Sequence, residues 1–183
     1  MKIKLHYKSI SEVVGISDVG LITLLDEFEQ RQLNIICDKF MVDQIQLRSV
    51  EQDIDTQSFL QEVMLSYIKN LKYGEFEIHI TSVDNGEYKA ELRNVALGKS
   101  FSLRAADAVL LSIISKQDIL IDEHLMNFQS VPYKAMSHSM ALPINSLSSK
   151  MIQRSLKKAI EDENYELASQ LRDELNSRKN ERS

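Results

Sequence analysis

Residues Phe101 to Met126 read Phe-Ser-Leu-Arg-Ala-Ala-Asp-Ala-Val-Leu-Leu-Ser-Ile-Ile-Ser-Lys-Gln-Asp-Ile-Leu-Ile-Asp-Glu-His-Leu-Met, and the rest of the chain is organised around them. The stretch predicts a short strand, a helix, a second strand and a helical turn. In the helix, Ala105, Ala108, Val109, Leu110, Leu111, Ile113 and Ile114 leave almost no polar face before Lys116, so burial is expected. Arg104 and Asp107 stand at its opening. Charges so close to a core are expected to be buried with it, and then must be paired or used. Their i, i+3 spacing lets the carboxylate meet the guanidinium, and an acid in the first turn suits the helix dipole.

Working back towards the N-terminus, Ile3, Leu5 and Tyr7 alternate with Lys2, Lys4, His6 and Lys8, the pattern of a half-buried strand. Gly15 to Asp18 breaks it. Val19 to Leu25 and Gln32 to Cys37 predict a hairpin around the polar turn from Asp26 to Arg31. Asp38 then suits an N-cap, with Phe40, Met41, Ile45 and Leu47 giving a short helix to about Ser49. After a loop from Val50 to Asp55, Thr56 is the expected N-cap of a second helix. Its apolar residues Phe59, Leu60, Val63, Met64, Tyr67, Ile68 and Leu71 fall at steps of three and four. Gly74 marks its end. Phe76, Ile78 and Ile80 predict a strand, Asp84-Asn85-Gly86-Glu87 a turn, and Tyr88, Ala90 and Leu92 the returning strand. Helices interrupt a mostly antiparallel or mixed sheet, so the class is α+β.

Beyond the organising stretch, Asn127 to Pro143 carries both prolines and reads as a linker or a sheet edge. From Leu147 the texture changes. Leu147, Met151, Leu156 and Ile160, then Leu167, Leu171 and Leu175, lie on helical stripes around Asp162-Glu163-Asn164, which predicts an αα-hairpin. Such thin stripes bury little alone, so the hairpin is expected to dock on the body or on another copy.

The totals narrow the class. The chain has 183 residues with 43% hydrophobic and 27% charged, enough for one core and an appendage. No apolar run reaches bilayer length, and the N-terminus lacks the apolar block of a secretory signal; a cytoplasmic protein is expected. Cys37 is the only cysteine, which excludes an internal disulfide, and it reads as a small buried hydrophobe. Net charge is −5, which argues against non-specific nucleic-acid binding. Residues 1–146 carry 14 Lys/Arg against 20 Asp/Glu, whereas residues 147–183 carry 8 against 7.

Other candidates are weaker. His6, His79, His124 and His138 show no metal-binding spacing and are expected at the surface or sheet edges. Tyr67, Tyr73, Phe76 and Tyr88 lack interleaved basic residues and read as core or sheet-face aromatics rather than base-stacking platforms. There is neither a glycine-rich phosphate loop nor a serine nucleophile motif.

Two resemblances add to this. The run Arg104-Ala105-Ala106-Asp107-Ala108, with Gly15-Ile16-Ser17, the hairpin holding Leu33 and Ile35, and Asp84-Asn85-Gly86, resembles the bacterial bifunctional nuclease domain family. There an Arg-Pro-Ser-Asp-Ala run precedes an apolar helix and a strand. Where that family has a Glu early in the helix after the hairpin, this chain has Met41. Its His-Asp pair after a Thr is Gln57-Ser58 here, and its Gly at the end of the hairpin strand is Asp38. Separately, Ala159, Tyr165-Glu166, Ala168, Leu171-Arg172-Asp173 and Leu175 resemble the UVR motif, a helical hairpin of excision-repair and quality-control proteins.

The resemblances imply a nuclease-like domain over 1–130, a linker over 131–146 and a UVR-like hairpin over 147–180. They imply phosphodiester hydrolysis of DNA and RNA, weakened or lost here by the substitutions. Arg104 would clamp phosphate and Asp107 would be the catalytic carboxylate. Gln57 and Ser58 would bind substrate, and Mg²⁺ or Mn²⁺ is the expected ion by analogy with nucleases. Asp38, Asp122 and Glu123 are further carboxylates, although no spacing brings them together. The hairpin, through Tyr165, Glu166, Leu171, Arg172 and Asp173, would contact a protein partner. A homodimer is expected to cover edge strands and hairpin stripes. The competing reading is a non-catalytic, dimeric interaction protein that recruits its partner through the hairpin.

Overall fold

The chain is described by a computed structural model over residues 1–13, 18–49, 55–71, 74–84, 86–133, 147 and 149–180, the side chains of 178–180 excepted. The Gly15-Ile16-Ser17 break, Val50 to Ile54, Tyr73, Asn85, the Ser137-His138-Ser139 triplet and Pro143 lie outside the described residues.

The class is α+β, as expected. Two antiparallel three-stranded units form first: β1 (Lys2–Glu12), β2 (Val19–Asp26) and β3 (Arg31–Asp38), then β4 (Phe76–Asp84), β5 (Glu87–Asn94) and β6 (Lys99–Arg104). Each is followed by helix, α1 (Lys39–Ser49) and α2 (Leu60–Lys69) after the first, α3 (Ala105–Ser115) after the second. Next comes β7 (Ile119–Asp122), then α4 (Glu123–Gln129) and β8 (Val131–Pro132). The sheet order is β6-β5-β4-β7-β1-β2-β3-β8.

β7 is what makes one sheet of the two units. It pairs in parallel with β4 (Ile78↔Ile119, Ile80↔Ile121) and antiparallel with β1 (Ile3↔Ile121, Leu5↔Ile119). A parallel neighbour requires a crossover connection, and α3 supplies it. Ile119 and Ile121 are fully buried between the units, each side chain contributing roughly 1.5–3 kcal/mol by leaving water.

α3 packs on β1, β3, β4, β5, β6 and β7, and the sheet curls around it far enough for β3 to meet β5. Small residues permit the close approach: Ala105 and Ala108 are buried on α3 beside Val109 and Leu110. Gly20 serves the same purpose on β2, where a Cβ would lie 2.2 Å from Val42 Cγ2. Asp26 orders the β2–β3 turn, its Oδ1 accepting the backbone N–H groups of Gln30 (2.8 Å) and Arg31 (2.9 Å).

Four expectations are corrected. Thr56 does not cap α2. It opens a turn that ends at Phe59, whose N–H donates to the Thr56 carbonyl, and the helix starts at Leu60 with no side-chain cap. Most of the stripe of α2 does not face inward: Leu60, Val63, Met64, Tyr67 and Leu71 are exposed, Phe59 and Ile68 are half-buried with Ile68 against the core, and Leu65 is the buried residue. The reason lies in Glu62. Its carboxylate turns inward to the Arg48 guanidinium of α1, at 2.7 Å (Oε1 to Nε) and 3.0 Å (Oε2 to Nη2), with side chains 14% and 5% exposed. His79, expected at the surface, is buried on β4, where its Nε2 lies 2.7 Å from Glu77 Oε2. In α5 (Ser149–Glu161) the fully buried residues are Ile152, Ser155 and Ala159, with Met151 and Leu156 half-buried against the same core, and Ile160 is exposed. The small Ser155 and Ala159 suit close packing against α6 (Tyr165–Asn180).

The hairpin docks on the body. Leu147, Ile152, Ala159, Ala168 and Leu171 share a core with Val19, supported by Val13 and Ile36, and Lys158 Nζ lies 3.0 Å from Asp18 Oδ2.

Candidate functional site

Arg104 is both the last residue of β6 and the N-cap of α3, with extended backbone (φ −70°, ψ 144°). An extended cap residue projects its side chain ahead of the helix rather than along it. One turn on, Asp107 meets it as a bidentate pair: Arg104 Nε donates to Oδ2 at 2.6 Å and Nη2 to Oδ1 at 3.0 Å. Asp107 therefore serves the guanidinium instead of the first-turn amides.

A third group joins from the far unit. Asp38 ends β3, and its Oδ1 accepts the Met41 N–H at 2.9 Å, capping α1 as expected. Its other oxygen lies 3.4 Å from Arg104 Nη1. Curling of the sheet around α3 brings these ends together, a convergence no spacing in the chain reveals. The two carboxylates, Asp107 foremost, hold the Arg104 guanidinium above its ordinary pKa. Asp122 and Glu123 do not join. Asp122 stands opposite Lys2 at the end of β7, and Glu123 lies 3.8 Å from the N-terminal amine.

The expectation of burial fails here. The Arg104 side chain is 63% exposed, with Asp107 at 34% and Asp38 at 37%. An ion pair so open to water contributes only about 0–1 kcal/mol. Among the described residues the most buried ion pair is instead Arg48–Glu62, and the Arg104 cluster adds little to stability. Its Nη1 has, among the described residues, only the long contact to Asp38, which leaves one side of the fork open to an anion.

The fork faces a cleft of about 560 Å³ whose lining includes Asp38, Met41, Tyr88, Lys89, Arg104 and, from α5, Lys150 and Arg154. Tyr88, one of the aromatics flagged in the sequence, is half-buried here. Burial pushes its hydroxyl up to about 12, so it stays protonated and donates to Gln129 Oε1 at 3.3 Å. Gln57 and Ser58 are elsewhere, exposed in the turn ahead of α2, and do not line this cleft. On the hairpin, Tyr165, Glu166, Arg172 and Asp173 are exposed, whereas Leu171 is buried against the body. Lys150 and Arg154 are not among the residues that carry either sequence resemblance, and only the docking of α5 brings them to Arg104.

Cys37 adjoins the cluster but is inert. It is buried on β3, and burial, followed by the Asp38 charge, raises its thiol to about 12. At pH 8 roughly one molecule in 10⁴ carries the reactive thiolate. A thiol-specific chromogenic disulfide at pH 8 is therefore expected to leave the native protein unmodified for hours and to react once guanidinium chloride unfolds it. Prompt native labelling would contradict this placement.

The donor set does not fit a divalent ion held by the protein alone. Asp107 and Asp38 engage the guanidinium, Glu87 in the cleft lining pairs with Lys89, and among the described residues no three His, Cys, Asp or Glu side chains group closely enough to hold a metal. Among the described residues no helix is long and apolar enough to cross a membrane.

Comparison with known proteins gives two family matches. The model described as bifunctional nuclease domain matches residues 22–134, and that of the UvrB/uvrC motif matches residues 144–181. No curated protein matches.

Proposed function

The chain belongs to the bifunctional nuclease domain family, and from that premise we propose that it hydrolyses phosphodiester bonds of DNA or RNA at the Arg104 cleft. The observation that carries this reading is the exposed, half-engaged guanidinium at the cleft wall. In the proposed step the fork donates to the non-bridging oxygens of a phosphate and offsets the charge that develops there. A water attacks phosphorus and gives its proton to Asp107, and the bond to the departing sugar oxygen breaks. Asp38 keeps the guanidinium aimed along the cleft. The substitutions at Met41 and Gln57-Ser58 leave a spare site, which supports slow rather than fast turnover. The test is incubation with single-stranded DNA and RNA, Mg²⁺ or Mn²⁺ present, beside Arg104→Ala and Asp107→Ala. Cleavage that survives both substitutions would remove the site.

A second reading, a dimeric interaction protein without catalysis, is favoured by the exposed row Leu60, Val63, Met64, Tyr67 and Leu71 on α2. A second copy, placing row against row about a two-fold axis, would cover it. The hairpin's exposed Tyr165, Glu166, Arg172 and Asp173 would then meet the partner. Sedimentation at micromolar concentration is expected to show a dimer that Val63→Glu with Tyr67→Glu converts to monomer; a monomeric unmodified chain removes the dimer. A single buried thiol in reduced form suits a cytoplasmic setting.

A further inference from the structure

Resting on the nucleic-acid reading above, we infer that the C-terminal hairpin completes the substrate cleft in cis, with Lys150 and Arg154 binding the phosphate backbone of a single strand whose reacting phosphate sits on Arg104.

Three observations carry this. First, the hairpin is seated by an apolar core shared with Val19 and Ile36 and by the Lys158–Asp18 ion pair, so α5 has a set position beside the end of β3. Second, that position puts Lys150 and Arg154 in the wall of the same cleft as Arg104 and Lys89. Third, both side chains are exposed, and among the described residues neither has an anionic partner. Arg104 and Lys89, by contrast, are already matched by Asp107, Asp38 and Glu87. Residues 1–146 alone carry more acids than bases and would repel a polyanion. The hairpin brings the unmatched positive charge that a strand requires. A single strand fits better than a duplex, because Tyr88 and Leu103 line the cleft beside the cations and only unpaired bases can meet them. Tyr165, Glu166, Arg172 and Asp173 stay exposed for other contacts.

The test is fluorescence anisotropy with labelled single-stranded DNA and RNA at several salt concentrations, using the full chain. Wild type is compared with Lys150→Gln/Arg154→Gln and with a control of equal charge, Lys69→Gln/Lys99→Gln, at exposed positions outside the cleft. Loss of two phosphate contacts should lower the slope of log K against log salt by about 1.4 and weaken binding about tenfold in low salt. The control should match wild type, and circular dichroism should be unchanged for both variants. If the cleft variant binds like the control while wild type binds and cleaves, this inference fails and the nuclease reading stands. If wild type binds neither strand, both fail.

Discussion

Replacing Glu62 with alanine is expected to destabilise the chain by about 3–5 kcal/mol, the loss seen when one partner of a buried ion pair is removed. Arg48 would keep its hydrogen bonds to Gln44 O (2.8 Å) and Gln44 Oε1 (3.1 Å) and its stacking on Phe59, 5.4 Å from the ring centroid. Its charge would still be buried without a counter-charge, and a helix held by few inward apolar residues has little else to retain it. Urea titration followed by circular dichroism measures the change. Arg48→Met with Glu62→Leu should recover most of the stability, because two apolar side chains of similar volume remove both desolvation penalties. A loss below about 1 kcal/mol for Glu62→Ala would show that the pair is solvated in solution.

Arg104 and Asp107 should separate by kinetics although they are bonded to each other. In the proposed step, removing Arg104 would take away a donor to the charge developing on phosphate. Cleavage should fall about 10²–10³-fold, the usual consequence of losing one such donor, with weaker binding besides. Removing Asp107 frees the fork and makes the cleft more positive. Binding should hold or tighten while cleavage falls, since the proposed proton acceptor would be gone. Neither substitution should unfold the protein, because an exposed pair contributes so little. Single-turnover rates and anisotropy, measured together, distinguish the two patterns. Equal losses of binding in both variants would instead make the pair a structural unit.

Much of the fold was legible along the chain. Period-2 runs marked β1, β4 and β5, and the run from Ala105 to Ile114, apolar except for Asp107 and Ser112, announced a buried α3. That helix is apolar on nearly every side because it packs between the sheet and helices α1 and α2, a case in which periodicity and tertiary structure agree. α2 shows where such reading ends. Its apolar row met every criterion of a core face, yet five of its seven residues are exposed, while Glu62 reaches inward to a buried arginine. Periodicity counts side-chain polarity and is blind to a partner arriving from another helix. The same blindness hid Asp38 and the two hairpin cations at the cleft.

What the chain determined by itself was local: which segments become strands and helices, where Asp38 and Arg104 begin helices, and that Arg104 and Asp107 must meet, being one turn apart. Pairings across 66 residues, as between Arg104 and Asp38, depended on how far the sheet curls around α3, as did the exposure of the fork and the seating of Lys150 and Arg154 beside it. Curl follows from packing small residues of one helix against many strands at once, a property that no single segment carries.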